Sequence, residues 1–244
     1  MTVEPLLGEI WVYLAATPLL GLTATLLAYQ LAYAIYRRSG MHPIANPVLI
    51  SVLILAALLA ASGTPYETYF EGAQFVHVLL GPATVALALP LYEQRARVRR
   101  LALPLLAGLV AGVVVAVVSA TALALALGAS PQTVLSLAPK SVTTPIAMGI
   151  SERIGGLPSL TAALVIVTGI VGAMCARPLL DLVRVRGHDA RGFALGVASH
   201  GIGAARAFQV SEEMGAFAGL AMGMSALLTS IAVPLMAAWA GLLR

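Results

Sequence analysis

The chain has 244 residues, 60% of them apolar and only 10% charged, against the roughly 25% charged of a soluble domain, and this excludes an ordinary soluble fold. Its 14 basic and 10 acidic residues leave a net charge of +4, carried by a few clustered arginines rather than by a face that neutralises phosphates, so no nucleic acid is expected as a partner. A helix needs about 20 apolar residues to cross a hydrocarbon layer of roughly 30 Å, which makes the chain an all-α polytopic membrane protein of about six full transmembrane helices, with the lipid bilayer as its solvent.

Glu4 and Glu9 stand where a cleavable signal carries positive charge, so the first helix is expected to be retained. Length and apolarity predict spans at Ile10 to Tyr36, Asn46 to Ser62, Leu101 to Leu127, Leu157 to Leu182 and Phe217 to Leu243. Three further apolar segments are interrupted by proline, glycine and hydroxyl residues: Phe75 to Glu93, Leu137 to Gly155 and Phe193 to Val210. The expected organisation is a single membrane domain over 1–244. Its N-terminal helices cover 8–100, with a broken helix at 75–93. A repeat-containing part covers 101–244, with broken segments at 137–155 and 193–210.

Orientation follows from the arginines, because short basic loops stay on the cytoplasmic side. Arg37 and Arg38, then Arg95 to Arg100, then Arg177 to Arg191 mark three such loops, whereas Gly63 to Gln74 carries only Glu67 and Glu71. An N-terminus outside the cell satisfies the first two basic loops. The third is satisfied only if Leu137 to Gly155 enters and leaves the membrane on one face. A re-entrant hairpin is therefore predicted there, a structure tolerated at membrane depth only where protein or a wet cavity surrounds it.

Ala147 to Gly155 matches Ala207 to Gly215 at Ala, Ser, Glu and Gly positions. Read as a repeat rather than as chance, each copy is a broken element followed by a membrane helix. One intervening span then inverts the second copy, the inverted-repeat arrangement of many secondary transporters.

Lys140 is the sole lysine of the chain and follows Pro139 directly; an ammonium at membrane depth is read as functional by default. Beyond Ser141, the run Thr143, Thr144 and Pro145 resembles the start of a half-helix, whose free N–H groups suit a carboxylate. In the second broken segment, Ser199, His200 and Gly201 combine hydroxyl, titratable ring and flexible backbone, and Arg206 adds a fixed charge. The alternatives are a satisfied core histidine and a snorkelling arginine.

Pro82 and Thr84 repeat the proline–hydroxyl theme, with a kinked packing helix as the alternative. Glu152 and Glu212, the repeat pair, are candidates for a coupling proton or cation. Gly108 with Gly112, and Gly215 with Gly219 and Gly223, read as close-packing positions. The single Cys175 is expected to be buried and inert, and no metal cluster, cofactor motif or nucleophile with its base is legible, so the chain is not expected to be an enzyme.

Asn46-Pro47, Gly63 to Gly72, Leu80 to Ala88, Pro139 to Pro145 and Ser199-His200-Gly201 together resemble the LrgB/CidB family of bacterial inner-membrane proteins over nearly the whole length. The resemblance implies a plasma-membrane location and a small LrgA/CidA-type membrane partner. It also implies one of two functions. The first is transport of a small monocarboxylate of the pyruvate, glycolate or lactate class, as in family relatives that include the chloroplast glycolate and glycerate transporter. The second is holin or antiholin-like regulation of murein hydrolases and autolysis. A homo-oligomer is compatible with either.

Overall fold

The structure, a computed structural model, describes residues 18–79, 82, 85–86 and 88–241. Among these every regular element is helical. The chain divides into two compact units, Met1–Ala86 and Leu87–Arg244.

In the first unit, α1 (Pro18–Arg38) packs against α2 (Pro47–Ser62) and α3 (Tyr66–Val78). Asn46 starts α2: its side chain accepts from the N–H groups of Val48 at 2.9 Å and Leu49 at 3.2 Å, and Pro47 supplies a preset first turn. Gly63, at φ 66°, ends it. The α1 to α3 contact centres on Gly21, where a β-carbon has no room against the Tyr69 carbonyl, and on a 2.8 Å bond between Thr25 Oγ1 and Tyr69 Oη. Of the expected Ile10–Tyr36 span, 10–17 lie outside the described residues.

The second unit contains α4 (Ala88–Glu93), α5 (Arg95–Arg100), α6 (Ala102–Ala126), α7 (Pro131–Leu137), α8 (Thr144–Ile154), α9 (Pro158–Leu182), α10 (His188–Phe208) and α11 (Glu212–Trp239). Its core gathers Leu109, Val113 and Val117 of α6 with Val142, Ile150, Val165, Phe193, Phe217 and Val233. Large apolar side chains such as Leu103, Leu123, Val167 and Leu227 point outward, the pattern of a protein whose outer solvent is hydrocarbon. At 1.5 Å per residue, α6, α9 and α11 are each about 37 Å or longer and exceed the roughly 30 Å hydrocarbon layer. With α1 they are the four helices, among the described residues, long and apolar enough to cross a membrane. The protein is a multi-pass membrane protein.

Of the interrupted segment expected at 75–93, residues 80, 81, 83, 84 and 87 lie outside the described residues, and the boundaries of the other two, expected at 137–155 and 193–210, differ from the sequence expectation. The first begins at Pro131 rather than Leu137, because Ser130 caps α7 through the Thr133 N–H and Pro131 fixes its first turn. After α7 the chain turns through Ala138 to Thr143 and returns as α8, stopped by left-handed Gly155 at φ 86°. The second begins at His188 rather than Phe193 and is broken at Ser199 (φ −133°, ψ 16°) and His200 (φ 41°, ψ −134°). The last span starts at Glu212, five residues before Phe217, because Ser211 caps it by accepting from Met214 N at 3.1 Å.

Contacts show both segments to be hairpins. His188 Nδ1 lies 3.0 Å from Ser211 Oγ, so α10 returns to the end from which it started. Its first arm runs alongside α11, with Gly192 against the Met214 carbonyl and Gly196 against that of Ala218, too close for β-carbons. In the first hairpin, Ser136 of α7 and Ser151 of α8 both meet Thr161 of α9, at 2.9 and 2.7 Å. Arg97, just before α6, pairs with Asp189 at 2.8 Å and Glu213 at 2.7 Å, and Arg191 pairs with Asp181. One end of this unit, here the arginine end, therefore holds the start of α6, the end of α9, both ends of α10 and the start of α11. The hairpin α7–α8 opens at the opposite end.

The residue match between Ala147–Gly155 and Ala207–Gly215 is out of register with these elements. Ser151 is interior to α8 whereas Ser211 caps α11, and Gly155 is left-handed whereas Gly215 is helical.

Candidate functional site

The two hairpin tips reach the middle of the second unit. Lys140 and Ser141, at the first tip, line a cavity of about 860 Å³ together with Val197 and Ala198, which precede the second break. The remaining wall comes from α6 at Gly108 and Gly112 and from α9 at Thr168, Val171 and Gly172. Thr168 lies ten residues into α9, about 15 Å along its axis, near half its length. Leu101, Asp189 and Phe193 extend the cavity to the arginine end.

Lys140 is the charged group at its inner end. The ammonium donates to Ser141 Oγ at 3.3 Å, and among the described residues no carboxylate lies within ion-pairing distance. The surrounding wall is mostly aliphatic, so the cation is compensated by little but the hydroxyl beside it. A single exposed carboxylate or similar anion fits that deficit.

Thr143 caps α8 without a side-chain bond, and Thr144 and Pro145 begin the helix, but none of the three is on the cavity wall. Pro145 is exposed. The structure therefore separates the lysine from the half-helix start that the sequence joins to it: the turn through Ser141 and Val142 faces the tip one way and the helix the other.

Ser199 and His200 sit at the second tip but behind the wall. Both are buried, and the Ser199 hydroxyl points at Gly172, where a β-carbon would overlap it. Ser199 Oγ and Ser225 Oγ are buried without a hydrogen-bond partner among the described residues. The His200 ring rests in the notch left by Gly169, with Nε2 3.0 Å from the Val165 carbonyl. A carbonyl only accepts, so Nε2 carries the hydrogen and the neutral ring keeps Nδ1 bare. The break is strained, since His200 is a non-glycine residue at positive φ.

Gly201 is half-buried and lies against Met222. Arg206 reaches Gln209 Oε1 at 3.1 Å, at the far end of its arm. Glu152 and Glu212 are exposed at the ends of α8 and α11. Pro82 is exposed, and Thr84 lies outside the described residues.

Three features are absent from the sequence reading. The polar knot at Thr161 joins both arms of the first hairpin to α9. Ser136 Oγ meanwhile donates to the Gln132 carbonyl and accepts the Leu157 N–H, each at 2.7 Å. Gly169 and Gly172 make the seat for the second tip. Gly108 and Gly112, read as packing positions, also form cavity wall. Their signal was small residues three or four apart, which in sequence does not distinguish helix contact from a void.

The second unit is thus an all-helical bundle in which two hairpins, opening at opposite ends, both contribute to the wall of one cavity. The chain belongs to the LrgB-like family, which it matches over residues 25–239, in agreement with the motif resemblance. It is 34% identical to YwbG of Bacillus subtilis over 216 residues, 88% of this chain and 96% of that one. It is 34% identical to a Haemophilus influenzae protein over 210 residues, 86% and 90%. It is 28% identical to holin-like protein CidB of Staphylococcus aureus over 218 residues, 89% and 95%. No solved structure matches it.

Proposed function

We propose that the protein is a secondary carrier or facilitator of a small monocarboxylate of the pyruvate, glycolate or lactate class. The observation that carries this reading is Lys140, unpaired and lining a cavity halfway along α9. An ammonium there costs at least a few kcal/mol without an anion or water. In this reading Lys140 and Ser141 hold the carboxylate and Thr168 faces it across the cavity. The α7–α8 and α10 hairpins are the inverted broken elements of an alternating-access core. The arginine end is cytoplasmic by the distribution of basic loops, so the cavity opens inward. No bond is made or broken in the substrate, and the protein is a carrier rather than an enzyme. An LrgA/CidA-type protein in the same plasma membrane is its expected companion.

A second reading is favoured by the holin-like staphylococcal relatives: a holin-like membrane protein that controls autolysis without a bound substrate. One experiment separates them. Purified protein in proteoliposomes, with and without the small partner, is expected to take up labelled pyruvate, glycolate or lactate, and Lys140→Ala to abolish uptake. Leakage of unrelated solutes that Lys140→Ala leaves unchanged, with no saturable carboxylate uptake, overturns the carrier reading in favour of the holin-like one.

A further inference from the structure

We propose that His200 binds the proton that is co-transported with the carboxylate; the proposal rests on the carrier reading above and names its coupling ion.

The argument begins with what the interior of the second unit contains. From Ala102 to Ala126, α6 has no ionisable side chain; from Gly155 to Ala176, the loop and α9 have only Cys175; from Met214 to Gly241, α11 has none. The charges of this unit lie at its ends: Arg97, Asp181, Asp189, Arg191 and Glu213 in ion pairs at the arginine end, Glu152 and Arg153 at the open end of the first hairpin, and Arg206 beside Gln209. Two ionisable groups remain at the hairpin tips, Lys140 and His200. One is a cation that lines the cavity. The other is a base behind its wall.

The geometry fits His200 to carry a proton rather than to grip the anion. Its Nε2–H is committed to the Val165 carbonyl at 3.0 Å and the ring is held in the Gly169 notch. That bond survives protonation, because Nε2 is a donor in both the neutral and the charged ring, while the bare Nδ1 gains the proton. Ser199, next in the chain, brings a buried hydroxyl with no partner to the same break. A hydroxyl can accept as well as donate, so among the described residues the tip holds one uncommitted polar group next in sequence to the ring.

The charges balance over the cycle. The empty core carries the Lys140 charge alone. When a carboxylate binds at Lys140 and a proton from water binds Nδ1, one negative and one positive charge are added and the core again carries a single positive charge. The proton leaves to water on the far side with the anion. Loaded and empty cores thus meet the same cost in the low-dielectric layer. Transport is electroneutral symport.

The test uses the full chain in proteoliposomes with an alkaline interior and labelled pyruvate, read against protein-free vesicles. The wild type accumulates pyruvate toward about tenfold for each unit of pH difference, the equilibrium of one proton per anion. In His200→Gln and His200→Asn that accumulation falls to the outside concentration, while exchange of internal for external pyruvate continues at equal pH. Gradient-driven accumulation that survives in both variants overturns the proposal. So does loss of exchange together with accumulation in both, which assigns His200 to the anion site or the fold. Wild-type exchange without any response to the gradient also overturns it. Absence of both uptake and exchange in the wild type overturns the carrier reading itself.

Discussion

Thr161 Oγ1 lies 2.7 Å from Ser151 Oγ and 2.9 Å from the Ser136 carbonyl, and so pins both arms of one hairpin to the helix that follows them. All three residues are fully buried. A hydroxyl has one proton, so Thr161 donates to one acceptor at a time among three in reach, Ser151 Oγ, the Ser136 carbonyl and the Leu157 carbonyl at 3.0 Å. Replacement by the near-isosteric valine strands the Ser151 hydroxyl. Thr161→Val is expected to destabilise by about 1–3 kcal/mol in reversible unfolding in mixed micelles. A change near zero removes the pin from the account of the hairpin.

Ser199 and Gly172 make the opposite case. The Ser199 hydroxyl is buried without a partner, and Gly172 is the only residue type that leaves it room. Ser199→Ala is expected to leave stability unchanged or raise it by up to about 1 kcal/mol. Gly172→Ala is expected to lower it by about 1–3 kcal/mol through overpacking. The double variant recovers part of that loss, a non-additivity that two independent sites would not produce.

Arg97 holds two carboxylates, Asp189 and Glu213, but its side chain is 45% exposed. Pairs of this kind contribute roughly 0–1 kcal/mol each and are screened by salt. Arg97→Ala is expected to cost about 1 kcal/mol or less at low ionic strength. Its difference from the wild type should vanish in molar salt.

The end assignment is testable by labelling. In a Cys175→Ala background, single cysteines at Val98 and Arg186 are expected to react from the same side of the membrane, and one at Ala129 from the other. Reaction of all three from one side contradicts two long helices, α6 and α9, running between those ends.

Lys140 offers a fifth measurement. Lys140→Met removes a cation from an aliphatic cavity, so the ligand-free protein is expected to melt no lower than the wild type. The stabilisation that a saturating carboxylate gives the wild type, about 2.7 kcal/mol at a hundred times its Kd, is expected to disappear.

Much of the frame was legible because membrane depth restricts what a chain can do. Long apolar runs became α6 and α9 within a residue of expectation, and the two breaks fell where Pro139 and the Ser199–Gly201 run interrupt them. The hairpin at Leu137 to Gly155 followed from arginine parity alone, and its physical counterpart is Arg97 touching Asp189. Boundaries set by caps were less legible. Ser130-Pro131 and Ser211 start helices at polar positions that a hydropathy reading assigns to loops. The direction of side chains at the tips was not legible at all: Lys140 and Thr144 are four residues apart but face different surroundings, and His200 turns away from the cavity toward a backbone carbonyl. The residue match between Ala147–Gly155 and Ala207–Gly215 is out of register for a related reason, since identical residues do different jobs, capping in one place and helix interior in the other.

The seating of α10 on α11 bears on how the protein is made. Gly192 and Gly196 fit against the carbonyls of Met214 and Ala218, so the groove that receives the second hairpin is synthesised after the hairpin itself. Arms of about 16 and 12 Å are too short to lodge in the bilayer as spans of their own. The first arm of α10 therefore completes its packing only once α11 is in place. A ribosome stalled before Ala218, or a premature stop there, leaves the first arm of α10 without the groove that receives it, although the Gly169–Gly172 seat of its tip is already made.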